Sequence, residues 1–193
     1  MKNQIRKSID ETIELLQKSV ILENEIEQST KLMIKCITSG HKIIIFGNGG
    51  SAADSQHIAA ELIGRFKIER NSFPAISLTT DSSILTALSN DYSFEIVFSR
   101  QCESLVKKGD VVLGISTSGN SLNVKNGLTI SKKNGAKIIG LLGNKGGTIK
   151  KICDINLIVD SSITSKIQEI HRIIYHIICE LIEKELGKKG TIK

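Results

Sequence analysis

One stretch of the sequence places a histidine and a glutamate four residues apart, just after a glycine-rich turn. The stretch is "FGNGGSAADSQHIAAELIGR", from Phe46 to Arg65, and the pair is His57 and Glu61. On a helix, both side chains would lie on the same side, about 6 Å apart along the axis. An imidazole and a carboxylate placed in this way could act as acid and base, or could ligate a metal. A surface ion pair is the alternative interpretation.

The last helical stretch, "KIQEIHRIIYHIICELIEKEL", carries further polar groups. Gln168 and His176 are eight residues apart, which on a helix corresponds to about 12 Å of rise and about 80° of rotation. The two side chains could share one ligand only by leaning toward each other, so periodicity alone does not predict a joint site. We interpret His171 as a packing or surface histidine.

Two loops have the composition of an anion site. "GNGGS" (Gly47–Ser51) and "STSGNS" (Ser116–Ser121) each follow an apolar run and open a helix, where free backbone N–H groups favour an anion. Neither loop has the lysine that a phosphoryl-transfer enzyme would need, so the pair favours a phosphate monoester that is held but not transferred. The alternative is a serine-rich turn that only caps its helix.

Five short apolar runs predict buried parallel strands, because each is nearly continuous rather than alternating. Helical stretches separate most of them, and strand–helix–strand repetition predicts right-handed crossovers in one sheet. Ligands of such sheets bind at the carboxyl ends of the strands, where both loops lie. The runs are Lys42–Phe46, Ala75–Leu78, Val111–Ile115, Lys137–Leu142 and Ile155–Val159, and the helical stretches are Ser51–Ile63, Ser82–Leu88, Phe94–Leu105 and Ser121–Lys133.

The two ends of the chain are predicted to be helical. Residues 1–38 form two segments with a break near Leu22–Glu25, and Ile5, Ile9 and Ile13 recur there at helical spacing. We predict one domain over residues 1–193: N-terminal helices (1–40), a parallel α/β core with a C-terminal helix (41–186) and a tail (187–193). The fold class is a three-layer α/β/α sandwich with a five-stranded parallel sheet and an N-terminal helical extension.

Composition excludes several classes of function. The chain has 193 residues, a net charge of +6, 4% aromatics and no Trp. The basic excess is dispersed or terminal, which argues against nucleic acid and fits a small anionic substrate. No apolar run is long enough to span a membrane. Four widely spaced cysteines (Cys36, Cys102, Cys153 and Cys179) and a charged N-terminus without a signal peptide favour reduced, mostly buried thiols in a cytoplasmic protein.

Four segments together resemble the sugar isomerase (SIS) domain superfamily and, within it, the bacterial phosphoheptose isomerases. They are "GNGGSAADSQHIAAELIGRF", "SNDYSFEIVFSRQ", "GISTSGNS" and "KIQEIHRIIYHI", in the family's order and spacing, and the resemblance covers essentially the whole chain. It implies conversion of sedoheptulose 7-phosphate to D-glycero-D-manno-heptose 7-phosphate through an enediol. That reaction is the first step of nucleotide-activated heptose biosynthesis for lipopolysaccharide or capsule. The resemblance also implies a homotetramer with active sites between subunits and one zinc per subunit.

The resemblance assigns roles to particular positions of this sequence. Its metal ligands fall on His57, Glu61, Gln168 and His176, with Glu61 as base and His176 as acid. Its substrate contacts fall on Asn48, Gly49, Gly50, Ser51, Glu61, Asn90, Asp91, Ser116, Thr117, Ser118, Ser121 and Gln168.

The sequence departs from the family just before Gln168. Ile163 stands where the family commonly has Asp, and Lys166 stands where it has Arg, whereas Thr164 is retained. Two alternatives remain at this point: a non-catalytic SIS tetramer that binds a protein, as the replication-initiator-associated proteins do, or an isomerase or sensor of another phosphosugar. The retained quartet of polar residues disfavours both.

Overall fold

The computed structural model describes residues 1–187, which form a five-stranded sheet between two layers of helices. All paired strands are parallel, in the order β2-β1-β3-β4-β5. The predicted fold class is confirmed, and each predicted strand differs from the observed one by at most one residue at either end. The strands are β1 (Ile43–Gly47), β2 (Ala75–Ser77), β3 (Val111–Ser116), β4 (Lys137–Gly143) and β5 (Ile155–Val159).

The helices also follow the predicted order. A short 3-10 turn at Ser19–Leu22 separates the first two helices, which places the break slightly earlier than predicted. Of the predicted tail, residues 188–193 lie outside the described residues. The helices are α1 (Lys2–Lys18), α2 (Glu23–Thr38), α3 (Gly50–Ile63), α4 (Ser82–Asp91), α5 (Val97–Leu105), α6 (Leu122–Lys133) and α7 (Thr164–Leu186).

The apolar core lies on both sides of the sheet. Along β1, Ile43 and Ile45 pack on one side with α2, α3 and α7, whereas Ile44 and Phe46 pack on the other side with α5 and α6. All five residues of β1 are buried, as a continuous apolar run predicts. The expectation is wrong for β2, where Ile76 is 36% exposed, because this strand lies at the edge of the sheet and has a neighbour on one side only.

Strand register brings the two predicted anion loops together. β1 and β3 are neighbours, and Gly47 lies opposite Ile115 at their carboxyl ends. The chain leaves β1 into α3 on one side of the sheet and leaves β3 into α6 on the other, which makes this a topological switch point. A side chain at Gly47 would not fit, since an added Cβ would lie 2.8 Å from both the Ile115 carbonyl oxygen and the Ser51 Cβ.

Helix α1 is attached to the core through Leu15, which packs against it, and through polar contacts with α7. The Lys166 Nζ on α7 donates to the Ser8 carbonyl oxygen at 2.7 Å and to the Ser8 Oγ at 2.9 Å. None of the α1 residues is buried. Lys166 therefore joins two helices, and Ile163 stands half-exposed at the N-cap of α7 without a side-chain cap. Within residues 1–187 we find no helix with the length and apolarity needed to cross a membrane.

Candidate functional site

Three of the predicted site residues meet between α3 and α7. The His57 Nε2 lies 3.0 Å from the Glu61 Oε1 and 3.3 Å from the His176 Nε2. His57 and Glu61 are on one face of α3, as their spacing predicts, and α7 packs beside α3 on the same side of the sheet. His57 is therefore within hydrogen-bond distance of both a carboxylate and a second imidazole, on an open surface where its own side chain is 44% exposed.

Aromatic rings surround His176 on α7. The ring centroid of Tyr175 lies 4.6 Å away and that of Phe66 lies 5.7 Å away. Partial burial among these rings is the main reason that the pKa of His176 is lowered below its ordinary value, and the neighbouring His57 lowers it further. The neutral imidazole is favoured, and one of its ring nitrogens still carries an N–H that can donate a hydrogen bond.

Gln168, the fourth predicted metal ligand, lies against the first loop. A Cβ added to Gly50 would come within 3.0 Å of the Gln168 Cδ and closer still to its Nε2. The Gln168 amide therefore packs at the N-terminal end of α3, whereas His57 and Glu61 lie further along that helix.

The donor chemistry of the cluster suits zinc, but its arrangement is not that of a ligated ion. Imidazole nitrogen and carboxylate oxygen are ordinary zinc ligands, and three of them meet here. Within residues 1–187, however, no group of three or more His, Cys, Asp or Glu side chains is arranged to hold a metal ion. The His57 Nε2 instead contacts the Glu61 carboxylate and the His176 Nε2 directly, so zinc binding stays a prediction.

The hydroxyls of the second loop converge. The buried Ser116 Oγ lies 3.0 Å from the Ser121 Oγ and 3.4 Å from the Ser118 Oγ. Ser121 is the N-cap residue of α6, yet its side chain makes no capping hydrogen bond. The interpretation of this loop as a simple helix cap is therefore disfavoured, because its hydroxyls group around a common point beside the N-terminus of α6.

An amide pair joins the two loops. The Asn48 Nδ2 donates to the Asn123 Oδ1 at 2.8 Å, and the Asn123 Nδ2 donates back to the Asn48 Oδ1 at 3.0 Å. The Asn48 side chain is therefore largely occupied in holding the loops in register. Sequence reasoning missed Asn123, whose position in the first turn of α6, next to a predicted anion loop, was the available signal.

A third loop, also missed from sequence, supports the loop at Ser116–Ser121 (the serine loop). Gly119 has a φ of +66°, and a side chain there would collide with the backbone of Gly146 in the loop after β4. The Thr148 N–H donates to the Asn120 Oδ1 at 2.9 Å. The glycines after β4 thus allow two loops to pack backbone against backbone at this edge of the sheet.

The remaining residues predicted to contact substrate are dispersed. Ser51 is buried in the first turn of α3, and Gly49 before it has a φ of +56°. Asn90 and Asp91 are exposed at the end of α4, where the Asn90 Nδ2 donates to the Asp91 Oδ1 at 2.8 Å. Helix α4 lies on the opposite side of the sheet from α3 and α7, so a substrate contact from Asn90 and Asp91 stays a prediction.

Comparison with known proteins shows the family of this chain. The SIS domain family matches residues 6–143. A phosphoheptose isomerase of Pelobacter propionicus is 56% identical over 154 residues, which are 80% of this chain and 82% of that protein. One of Helicobacter hepaticus is 48% identical over 191 residues, or 99% and 97% of the two chains. The chain belongs to the phosphoheptose isomerase family.

A solved member of the phosphoheptose isomerase family shares the whole architecture. The structure from Neisseria gonorrhoeae has a TM-score of 0.90 and 39% sequence identity, and the match covers 95% of this chain and 98% of that one. The predicted SIS fold and the predicted resemblance are both confirmed.

His171 packs in the core of this phosphoheptose isomerase fold, which confirms one of the two interpretations of this residue. It is fully buried, and its Nε2–H donates to the Leu142 carbonyl oxygen at 3.0 Å. Burial lowers the pKa of His171 to about 4. Arg65, which matches the family, forms an exposed ion pair with Glu69 at 2.9 Å.

Two ion pairs near the site, each with a buried carboxylate, were not predicted from the sequence. The Asp54 Oδ1 accepts from the Arg172 Nη2 at 3.0 Å and from the Tyr175 hydroxyl at 3.3 Å. Arg70 and Glu183 form a second pair in the same helical layer. Nothing in the local sequence pattern marks these residues, because their partners lie more than a hundred residues away.

Proposed function

We propose that this protein converts sedoheptulose 7-phosphate to D-glycero-D-manno-heptose 7-phosphate through an enediol. The observation that carries the proposal is the cluster of His57, Glu61 and His176, on a helix that begins at the edge of the sheet where the serine loop lies. A phosphosugar held at that edge would have its reacting end near the cluster. Family membership supports the same reaction class.

The proposed division of labour follows from the chemistry of the groups. The hydroxyls and backbone N–H groups of Ser116–Ser121 bind the phosphate. Glu61 removes a proton from C1 of the ketose and returns it to C2, while His176 donates its ring proton to the C2 oxygen and recovers one from the C1 oxygen. The substrate and product are isomers, so the cycle needs no oxidant, reductant or other reactant.

We also propose one zinc per subunit, held by His57, Glu61 and His176 with Gln168 as a fourth ligand. The contacts of His57 with Glu61 and with His176 support this ligand set. Zinc, when bound, would supply Lewis acidity that favours negative charge on the sugar oxygens.

We propose a homotetramer whose active sites lie between subunits. In the single chain, the side chains of Ile5, Ile9 and Ile13 form an apolar stripe along α1 and are each about half exposed. A continuous apolar stripe of this kind is typical of a protein interface. The exposed position of Asn90 and Asp91 is also consistent with a contact across subunits.

The product would enter nucleotide-activated heptose biosynthesis for lipopolysaccharide or capsule. We place the enzyme in the cytoplasm, where its four cysteines, all free in the structure, would stay reduced.

The test is incubation of the purified protein with sedoheptulose 7-phosphate, with zinc supplied, followed by detection of the heptose 7-phosphate. We expect turnover that a chelator removes and that added zinc restores. Fructose 6-phosphate serves as the comparison substrate and should turn over much more slowly. Absence of heptose formation by the zinc-supplied protein would overturn the proposal, and preferential turnover of the hexose would favour another phosphosugar.

A further inference from the structure

A buried ion pair connects α7 to the segment that follows α3. The Arg70 Nε lies 3.2 Å from the Glu183 Oε1, and both side chains are at most 3% exposed. Charges removed from water in this way are tolerated only when partners satisfy them. Nearly every contact of this pair is with the backbone around the candidate site.

Arg70 holds the end of the helix that carries Glu61. Its Nη2 donates to the carbonyl oxygen of Glu61 itself at 2.6 Å, and its Nη1 donates to those of Leu62 at 2.9 Å and Gly64 at 3.1 Å. Carbonyl groups in the last turn of a helix have no helical donor, so the guanidinium replaces the missing partners. The guanidinium also lies 3.9 Å above the Phe73 ring, which restricts its orientation.

Glu183 holds the following turn against α7. Its carboxylate accepts from the backbone N–H groups of Phe66 at 2.8 Å, Lys67 at 2.6 Å and Ile68 at 3.2 Å. Burial alone would raise the pKa of Glu183, but these donors and Arg70 lower it, so the group stays ionised. Glu183 lies two turns after His176 on the same face of α7, and the Phe66 ring packs against the His176 ring.

We propose that Arg70 and Glu183 are positioning residues that set the placement of Glu61 relative to His176. A continuous series of contacts runs from the Glu61 carbonyl through Arg70, Glu183 and Phe66 to His176. Neither residue of the pair is one of the groups assigned to contact substrate. The proposal rests on the proposed isomerase function, in which Glu61 and His176 move protons on one sugar.

Helix α7 and the turn after α3 also contain an exposed ion pair, which provides a matched control. Lys67 and Glu180 form an ion pair at 2.7 Å between this turn and α7, but both side chains are about half exposed. Glu180 is one turn before Glu183, so Glu180→Gln removes the same charge from nearly the same place. It leaves the contacts of Arg70 intact.

The kinetic experiment compares Glu183→Gln and Arg70→Lys with wild type and Glu180→Gln. We expect kcat of the first two to fall about 10–100-fold, because misplacement by about 1 Å has effects of that order. KM should change less than about threefold, since Arg70 and Glu183 do not contact the serine loop. Glu180→Gln should keep its kcat within about twofold, as expected for an exposed ion pair.

A purely stabilising role predicts a different result. The assays are run at a temperature where circular dichroism shows every variant fully folded, and kcat is calculated per folded chain. If Glu183→Gln and Arg70→Lys then have the wild-type kcat, the positioning proposal is overturned. A fall of kcat in both, with KM retained, supports it.

A crystal structure of Glu183→Gln separates this proposal from the proposed function. We expect the His176 ring to move by about 1 Å relative to His57 and Glu61, from the wild-type Nε2–Nε2 distance of 3.3 Å. An unchanged arrangement would overturn the proposal whatever the substrate is. Lack of wild-type turnover on sedoheptulose 7-phosphate would instead reject the proposed function, and the measured displacement would still decide the positioning role.

Discussion

The His57 Nε2 lies 3.3 Å from the His176 Nε2, although 119 residues separate the two histidines in the chain. Helices α3 and α7 are neighbours on one side of the sheet, and each contributes one imidazole to the same point. The Glu61 carboxylate, 3.0 Å from His57, completes the cluster. The groups proposed for acid–base chemistry thus come from two segments that only packing brings together.

Removal of either of the two groups proposed to transfer protons should abolish most of the activity. For Glu61→Gln and His176→Gln we expect kcat to fall about 100–10,000-fold, the usual range for loss of a general acid or base. The measurement is heptose formation by protein whose folding is verified by circular dichroism. Glu69→Gln and His41→Gln, which change exposed or half-exposed residues outside the cluster, should retain activity. Near-normal activity in either site variant would contradict the assigned acid and base.

Loss of a serine-loop hydroxyl should weaken substrate binding rather than the chemical step. Ser116 is buried and its hydroxyl contacts those of Ser118 and Ser121, so Ser116→Ala removes a central donor of the proposed phosphate site. A hydrogen bond to a charged group contributes about 1.5–3 kcal/mol, which corresponds to a rise in KM of about 10–100-fold. Steady-state kinetics with Ser104→Ala, an exposed serine on α5, is the control. A fall in kcat with unchanged KM would contradict phosphate binding by this loop.

A charge on the α1 stripe should disrupt the proposed tetramer. Ile9→Asp combined with Ile13→Asp places two carboxylates where about half of each isoleucine side chain is exposed in the single chain. Burying an unpaired charge is costly, so light scattering after size-exclusion chromatography should show fewer than four chains per particle. Lys7→Asp adds a carboxylate on the opposite face of α1 and should leave the wild-type mass. Wild-type mass in the double variant would show that the stripe is not the interface.

Stability should decrease between neutral and mildly acidic pH because of His171. Burial lowers its pKa from an ordinary 6.5 to about 4, against smaller raising effects of the Leu142 carbonyl and Asp54. Since the unfolded state binds the proton first, the stabilisation is present above pH 6.5 and is lost as the pH falls toward 4. Between pH 7 and 5 this histidine should account for a loss of about 2 kcal/mol in the free energy of unfolding.

Denaturant unfolding of wild type and His171→Gln at the two pH values isolates this contribution. The variant should lose less stability on acidification than wild type, by about 2 kcal/mol. His41→Gln, which changes a partly exposed histidine, should behave as wild type does. Equal losses in all three proteins would show that His171 does not titrate in this range.

The sequence by itself determined the strands, the helices and the part of the candidate site that lies on α3 and in the loop after β3. Buried parallel strands need continuous apolar runs and helices need apolar residues at 3.6-residue spacing, so both patterns are local. The spacing of His57 and Glu61 on one helix is equally local, and so is the serine composition of the loop after β3. The resemblance to a known family added Gln168 and His176 to the candidate site, whereas helical periodicity alone did not predict that these two residues share a ligand.

Only the tertiary structure decided which segments meet. Strand order placed β1 beside β3, and that pairing brought Asn48 to Asn123. Packing of α7 beside α3 placed His176 against His57 and buried Arg70 with Glu183. These contacts join residues 75 to 119 positions apart, and contacts at such separations arise from strand register and helix packing, which no local pattern encodes.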